Sequence, residues 1–206
     1  MNSTVLITGI AFTAIFVGLF AADDAYGAVF AKYDGIDGEA RNETHETDKD
    51  GWISLLSFDW EANQQSIGAS GQSRRRGAAI VEDVTLSMEY EKSSPKLQEA
   101  LLTGKVIPKV DVYLTKEVPC PPEPREPTDE NPNQGELCEV VYLKYELKNV
   151  MISSYQTSWA DPDEVPEVVT GNNFEEIKVT YTEYDDDTGE NKGNVETTWK
   201  VEKGTK

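Results

Sequence analysis

Few side chains in this 206-residue sequence are equipped for covalent or metal chemistry: one histidine, His45, and two cysteines, Cys120 and Cys138. The common zinc sites draw several ligands from histidine and cysteine, so this supply excludes them. His45 has no second histidine to complete a proton relay, and no serine or cysteine stands in a nucleophile motif. A strand-edge or interface histidine is the plainer reading. The run Asp185-Asp186-Asp187-Thr188-Gly189-Glu190-Asn191 sets oxygen ligands at Asp185, Asp187 and Asn191, as part of a calcium loop would, but lacks the bidentate glutamate of a full one. Between two strand patterns, these residues read better as a hairpin turn. Asp48-Lys49-Asp50-Gly51 receives the same reading. No glycine-rich loop follows a strand and opens a helix, so nucleotide binding has no support. The sequence points away from an enzyme, and no cofactor is expected.

Charge narrows the partners. Nineteen Lys and Arg stand against 38 Asp and Glu, a net charge of −19, which argues against nucleic acid and acidic headgroups. The only basic cluster is Arg74, Arg75 and Arg76, set among Gly68, Ser70, Gly71, Ser73 and Gly77. It reads either as a solvated loop or as a flexible arm that reaches an acidic surface on a neighbouring subunit. From Met1 to Ala22 there is no charge, Val5 to Ala22 is almost unbroken in apolarity, and Ala25-Tyr26-Gly27 offers small residues to a signal peptidase. Cleavage after Gly27 is expected, with a retained membrane anchor as the rival. Export would make the chain secreted or surface-bound and would pair Cys120 with Cys138. The seventeen residues between them hold five of the ten prolines, a composition fit for a stapled surface loop and not for a helix or central strand. Closing such a loop is worth about 3 kcal/mol. Asn42-Glu43-Thr44 is a glycosylation sequon.

Period-two alternation dominates the rest. Val84 to Tyr90 is the clearest half-buried antiparallel strand, and the same pattern fits Ala28 to Lys32, Trp52 to Trp60, Val110 to Leu114, Val141 to Leu147, Phe174 to Tyr184 and Val195 to Val201. After Leu147 the apolar phase slips to Val150 and Ile152, which predicts a bulge or sharp bend at Asn149. One short helix interrupts the strands, with Ser94 as N-cap, Pro95 at its first position, Leu97, Ala100 and Leu101 on one face and Gly104 as its stop. These elements predict an all-β fold, a compact antiparallel barrel or sandwich with one short flanking helix. Residues 28–206 form one domain behind the 1–27 leader, with 116–138 as a disulfide-closed loop insertion. Trp52, Trp60, Trp159 and Trp199 read as core or subunit contacts before a carbohydrate platform.

The order of motifs resembles the haemolysin co-regulated protein (Hcp) family of the type VI secretion system. The resemblance rests on Tyr33-Asp34-Gly35-Ile36-Asp37-Gly38-Glu39, His45 to Gly51-Trp52-Ile53, Ser57-Phe58-Asp59-Trp60, and Glu82-Asp83-Val84-Thr85-Leu86. It continues through Lys92 to Leu97, Thr103-Gly104-Lys105, Tyr142-Leu143-Lys144 and Val150 to Tyr155. It implies a β-barrel with a flanking helix, assembled as six-membered rings that stack into a tube, with no enzymatic activity and with small effectors as lumen cargo. The leader, the Cys120 to Cys138 insertion and the arginine run depart from the family pattern. The resulting expectation is an exported protein whose partner is itself, with contacts at Arg74, Arg75, Arg76, Thr103, Gly104 and Lys105 and a membrane association only through the leader. The alternative is a secreted binding module that uses loops around Trp159 or the disulfide insertion.

Overall fold

Alternating sequence becomes ten strands and one helix in a computed structural model that describes residues 26–40, 51–67, 75–120, 137–160 and 162–201. The elements are β1 (Tyr26–Tyr33), β2 (Ile53–Asp59), β3 (Ala62–Ile67), β4 (Arg75–Val81), β5 (Val84–Glu89), α1 (Ser94–Thr103), β6 (Val106–Pro119), β7 (Leu137–Ser158), β8 (Glu167–Asn173), β9 (Glu176–Tyr184) and β10 (Asn191–Lys200). All pairings are antiparallel. Strands β1, β2, β5, β8, β7 and β6 pair in a ring, so the expected barrel is present and closed. Residues 1–25 of the expected leader, Asn42 and His45 lie outside the described residues, whereas its last two residues, Tyr26 and Gly27, open β1.

Closure depends on β7, whose 22 residues serve two neighbours in turn. Leu143 to Lys148 pair with β9, and Met151 to Ser158 pair with β8. The change falls at Asn149, where φ is 50°, a left-handed conformation that asparagine tolerates better than branched residues do. The sequence predicted a bend here from the slip in apolar phase. The slip keeps Leu147, Val150 and Ile152 in the core on both sides of the bend. Beyond the barrel, β9 and β10 extend the sheet outward from β7.

The core fills the barrel with Ala31, Tyr33, Ile53, Leu86, Met88, Val110, Val112, Leu147 and Val168, all at or below 1% exposure. Helix α1 packs on β7 and adds Leu97 and Ala100 to this core. Burying a side chain such as Leu97 stabilises by about 1.5–3 kcal/mol. The helix starts one residue from its expected position: Ser93 is the cap and makes no side-chain cap bond. Its carbonyl instead accepts the amides of Lys96 and Leu97, while Ser94 Oγ accepts the Glu91 amide at 3.0 Å.

Two further expectations are corrected. Residues 116–138 are not all loop, because Lys116 to Pro119 pair in register with Leu137 to Val140 and carry the hairpin on to the disulfide. Arg75 and Arg76 do not sit in a glycine-rich loop. They pair with Ile67 and Ser66 in a two-stranded ribbon, β3 with β4, that continues the β2 and β5 hairpin. Strand β8 carries Thr170 and Asn172 toward the core and so lacks an apolar alternation.

That buried polar pair completes a network across the barrel. The Tyr33 hydroxyl donates to Asn172 Oδ1 at 2.9 Å, and Asn172 Nδ2 donates to the Val84 carbonyl at 3.1 Å and to Thr170 Oγ1 at 3.1 Å. Strands β1, β8 and β5 are thereby tied through side chains that are buried and satisfied. Burial pushes the Tyr33 hydroxyl up from 10.0 to about 12, against the opposing effect of its bonds to Thr170 and Asn172. An unfolded tyrosine ionises near 10, so this group stabilises the fold fully below that pH and ceases to do so as pH rises to about 12. A shift of this size corresponds to about 2–3 kcal/mol. Denaturant melts at pH 8 to 12 are therefore expected to show a steeper alkaline loss of stability in the wild type than in Tyr33→Phe. Parallel curves would show that Tyr33 is not the group responsible.

Candidate assembly surfaces

The ribbon of β3 and β4 is fastened to the barrel at an aromatic hinge. Phe58 lies 4.6 Å from the Tyr145 ring, and Trp60 meets the same ring edge-on at 6.2 Å. Beyond Trp60 the two sides stay joined through the Glu82 amide, which donates to the Glu61 carbonyl at 3.0 Å. At this base lies a cleft of about 400 Å³ lined by Asp59, Trp60, Glu61, Glu82, Asp83 and Thr85. Four carboxylates there make a strongly anionic patch. The Asp83 carboxylate is held in place by Ser153 Oγ at 2.5 Å and Asn173 Nδ2 at 2.7 Å. Arg75 and Arg76 fall at the far end of the ribbon, opposite Ile67 and Ser66. Arg74 lies outside the described residues. The ribbon therefore separates basic sequence at one end from an acidic cleft at the other.

The helix exit forms a second surface. Gly104 takes φ 64° and ψ 31°, with the Gly104 and Lys105 amides on the carbonyls of Leu101 and Ala100 at 3.1 and 2.9 Å. This is the left-handed stop that a glycine adopts without strain. Thr103 Oγ1 donates to the Glu99 carbonyl at 2.7 Å, so Thr103 closes its own turn. Thr103 and Lys105 line a shallow depression of about 270 Å³ with Gly35, Ile36, Lys96 and Glu99. Glu99 is held below the usual carboxylate range, first by the hydrogen bond from Lys96. The fold therefore puts Arg75 and Arg76 and the helix exit on separate elements: the first two belong to the β3 and β4 ribbon, the exit to α1.

Exposed apolar side chains mark surfaces that the alternation pattern did not locate. Leu102 is 77% exposed on α1, and Val106 and Met151, directly paired across β6 and β7, are exposed too. On the β7, β9 and β10 sheet, the outer face is charged: Lys178 meets Glu196 at 2.9 Å, while Lys148 and Lys200 meet Glu176 at 2.6 and 3.3 Å. The opposite face is apolar and becomes steadily more open outward. Leu147 and Ile177 are buried, whereas their neighbour Trp199 is 54% exposed and Val195 is 72% exposed. Trp159 is also exposed, with its indole N–H donating to the Glu164 carbonyl at 3.1 Å.

The acidic run after β9 folds as the hairpin turn that the spacing favoured. Asp185 Oδ1 accepts the amides of Asp187 and Thr188, both at 2.9 Å, and Oδ2 pairs with Lys192 at 2.8 Å. These donors, Lys192 foremost, hold Asp185 well below the usual carboxylate range. Asn191 Oδ1 is used by the Gly193 amide. No group of three or more His, Cys, Asp or Glu among the described residues is arranged to hold a metal. Cys120 and Cys138 are bonded, with Cα atoms 4.9 Å apart. Among the described residues no helix is long and apolar enough to cross a membrane.

A family described as "Type VI secretion system effector, Hcp" matches residues 30–185, which is most of the chain. The chain belongs to the Hcp family. Its barrel and helix are the Hcp fold, and the solved structures agree. A type six secretion system protein superposes with a TM-score of 0.68 at 20% identity, covering 85% of this chain and 96% of that one. A type VI secretion system effector from Yersinia pestis gives 0.57 at 20%, with coverages of 84% and 99%. Hcp1 from Salmonella typhimurium gives 0.56 at 20%, with 85% and 95%. Among curated proteins no sequence matches. The Hcp family match ends at 185, so strand β10 lies beyond it. The Hcp family is one of structural tube proteins and secreted effectors, not of enzymes. Because the turn already uses the oxygens of Asp185, adding calcium is expected to leave the melting temperature unchanged in scanning calorimetry. A rise that grows with calcium concentration would show the cation displacing Lys192.

Proposed function

We propose that this protein is an exported structural subunit that forms homo-oligomeric rings, six-membered as in the family resemblance, and that these rings stack into an extracellular tube. The observation that carries this reading is the β3 and β4 ribbon, which has Arg75 and Arg76 at its far end and a cleft of Asp59, Glu61, Glu82 and Asp83 at its base. Opposite charges on two ends of one element suit a head-to-tail contact in which each copy's ribbon meets the next copy's cleft. Heterologous contacts of this kind generate rings when the rotation closes. The apolar patches around Leu102, Val106 and Met151, and around Val195 and Trp199, supply burial that such a body leaves in water as a monomer. Thr103, Gly104 and Lys105 are proposed for ring-to-ring contact. Lumen cargo would be small protein effectors, and the chain itself would catalyse no reaction. Residues 1–27 serve as a leader cleaved after Gly27, and residues 28–206 form the assembling domain.

A second reading, a secreted binding module, draws on Trp159, which presents a large aromatic surface on a loop. Light scattering after size exclusion, with negative-stain images, separates the two. Rings, with stacks in the same fractions, are expected from the wild type. A monomer at every salt and concentration would overturn the structural reading and favour the module. High net charge opposes assembly at low ionic strength, whereas ribbon-to-cleft attraction weakens as salt is added. Replacing Arg74, Arg75 and Arg76 together by serine is expected to lower the assembled fraction severalfold at low salt and to leave only the salt-strengthened component. Unchanged assembly with unchanged salt dependence would remove the ribbon from the interface.

A further inference from the structure

The disulfide sits where the end of the β6 and β7 hairpin meets the tip of the β9 and β10 hairpin. The two strands end in the pairs Val118 with Cys138 and Pro119 with Leu137, and Cys120 closes the end covalently. On this end rests Gly189, buried, with φ 69°. Its backbone lies so close that a Cβ there would fall 1.7 Å from the Pro119 carbonyl oxygen and 3.3 Å from Val118 Cγ2. Lys116 adds an ion pair to Asp186 at 3.4 Å and lies 6.0 Å from the centre of the Tyr184 ring, whose hydroxyl reaches the Val141 carbonyl at 3.4 Å. Ladder pairing of β9 with β7 stops at Tyr181, so the outer part of the hairpin is held by these contacts and by β10 alone. Hairpins with little ladder support of their own open at low free energy.

We propose that the Cys120–Cys138 disulfide is a redox-sensitive lock on the outer part of the C-terminal hairpin: oxidised, it holds the Pro119 and Val118 seat that docks the Gly189 turn, and reduced, it lets residues 182–194 detach from a barrel that stays folded. Cys120 and Cys138 are half-buried, within reach of a small reductant. The reductant is a dithiol. Its thiolate attacks one cysteine sulfur, breaks the S–S bond and forms a mixed disulfide. Its second thiol then closes the dithiol's own disulfide and releases both cysteines as thiols, so two electrons and two protons pass to the protein. Without the covalent closure the pair at Leu137, itself exposed, ends the hairpin and frays.

Hydrogen exchange on the full chain, oxidised and then treated with dithiothreitol, tests this directly. On reduction, amides of residues 182–194 are expected to exchange at least about tenfold faster, with β1, β2 and β5 unchanged within about twofold. Acceleration confined to residues 117–140 would overturn the proposal, and so would uniform acceleration of every strand, which would make the disulfide a global staple. Gly189→Ala supplies the second arm. In the oxidised variant residues 182–194 should already exchange at the reduced wild-type rate, and reduction should accelerate them no further. Additive effects would show two independent supports in place of one lock.

Discussion

Everything in this fold depends on one strand changing partners. For the barrel to close, β7 must leave β9 and take up β8 while its other edge stays on β6, and Asn149 makes that change possible. A strand that kept a single pleat through this point would send either Leu147 or Ile152 to the solvent side. The left-handed residue absorbs the half-turn of phase, so both remain inside. Asn149 is held there by its own side chain, which donates to the Glu175 carboxylate at 2.8 Å across the start of β9. Closure then gives each of the six strands of the ring a neighbour on either side.

Inside the ring, the polar network of Tyr33, Asn172 and Thr170 is arranged to specify one register. Sliding β8 by a residue would bury an unsatisfied amide and break the bond to the Val84 carbonyl, a cost of about 1–3 kcal/mol for each group left without a partner. An all-aliphatic interior would tolerate the slip more readily. The same logic orders the outer sheet: a ladder of lysines and glutamates fills the charged face of β9 and β10, so the uncovered face is unambiguously the apolar one.

Much of this was legible because alternation reports burial. Val84 to Glu89 and Ile53 to Asp59 bury every second residue near their starts and were recognisable as strands on that pattern. The left-handed stop at Gly104, the bend at Asn149 and the pairing of the only two cysteines were legible for equally local reasons. Strands β3 and β4 were not, since ANQQSI and RRGAAIV carry no apolar alternation. Strand β8 escaped because two of its inward positions, Thr170 and Asn172, are polar, with Val168 the one apolar residue in that phase. For the candidate site, sequence located the charged run and the helix exit but not the acidic cleft, whose lining comes from both sides of the hinge. Nor could it distinguish β10 from a core strand: Val195, Thr197 and Trp199 alternate perfectly, yet they are exposed.

The long reach of the Tyr33 to Asn172 bond also has a meaning in time. Its partners are 139 positions apart, and β1 pairs with β6 across a span of about eighty residues. Such non-local pairing makes for slow folding. A chain synthesised or threaded from its N-terminus cannot seat Tyr33 until β8 has emerged, nearly at the end. The first three-quarters of the polypeptide therefore stays an open, unsealed sheet, and the last quarter acts as the keystone. A protein built this way remains pliable until its late strands are in place and becomes rigid only then.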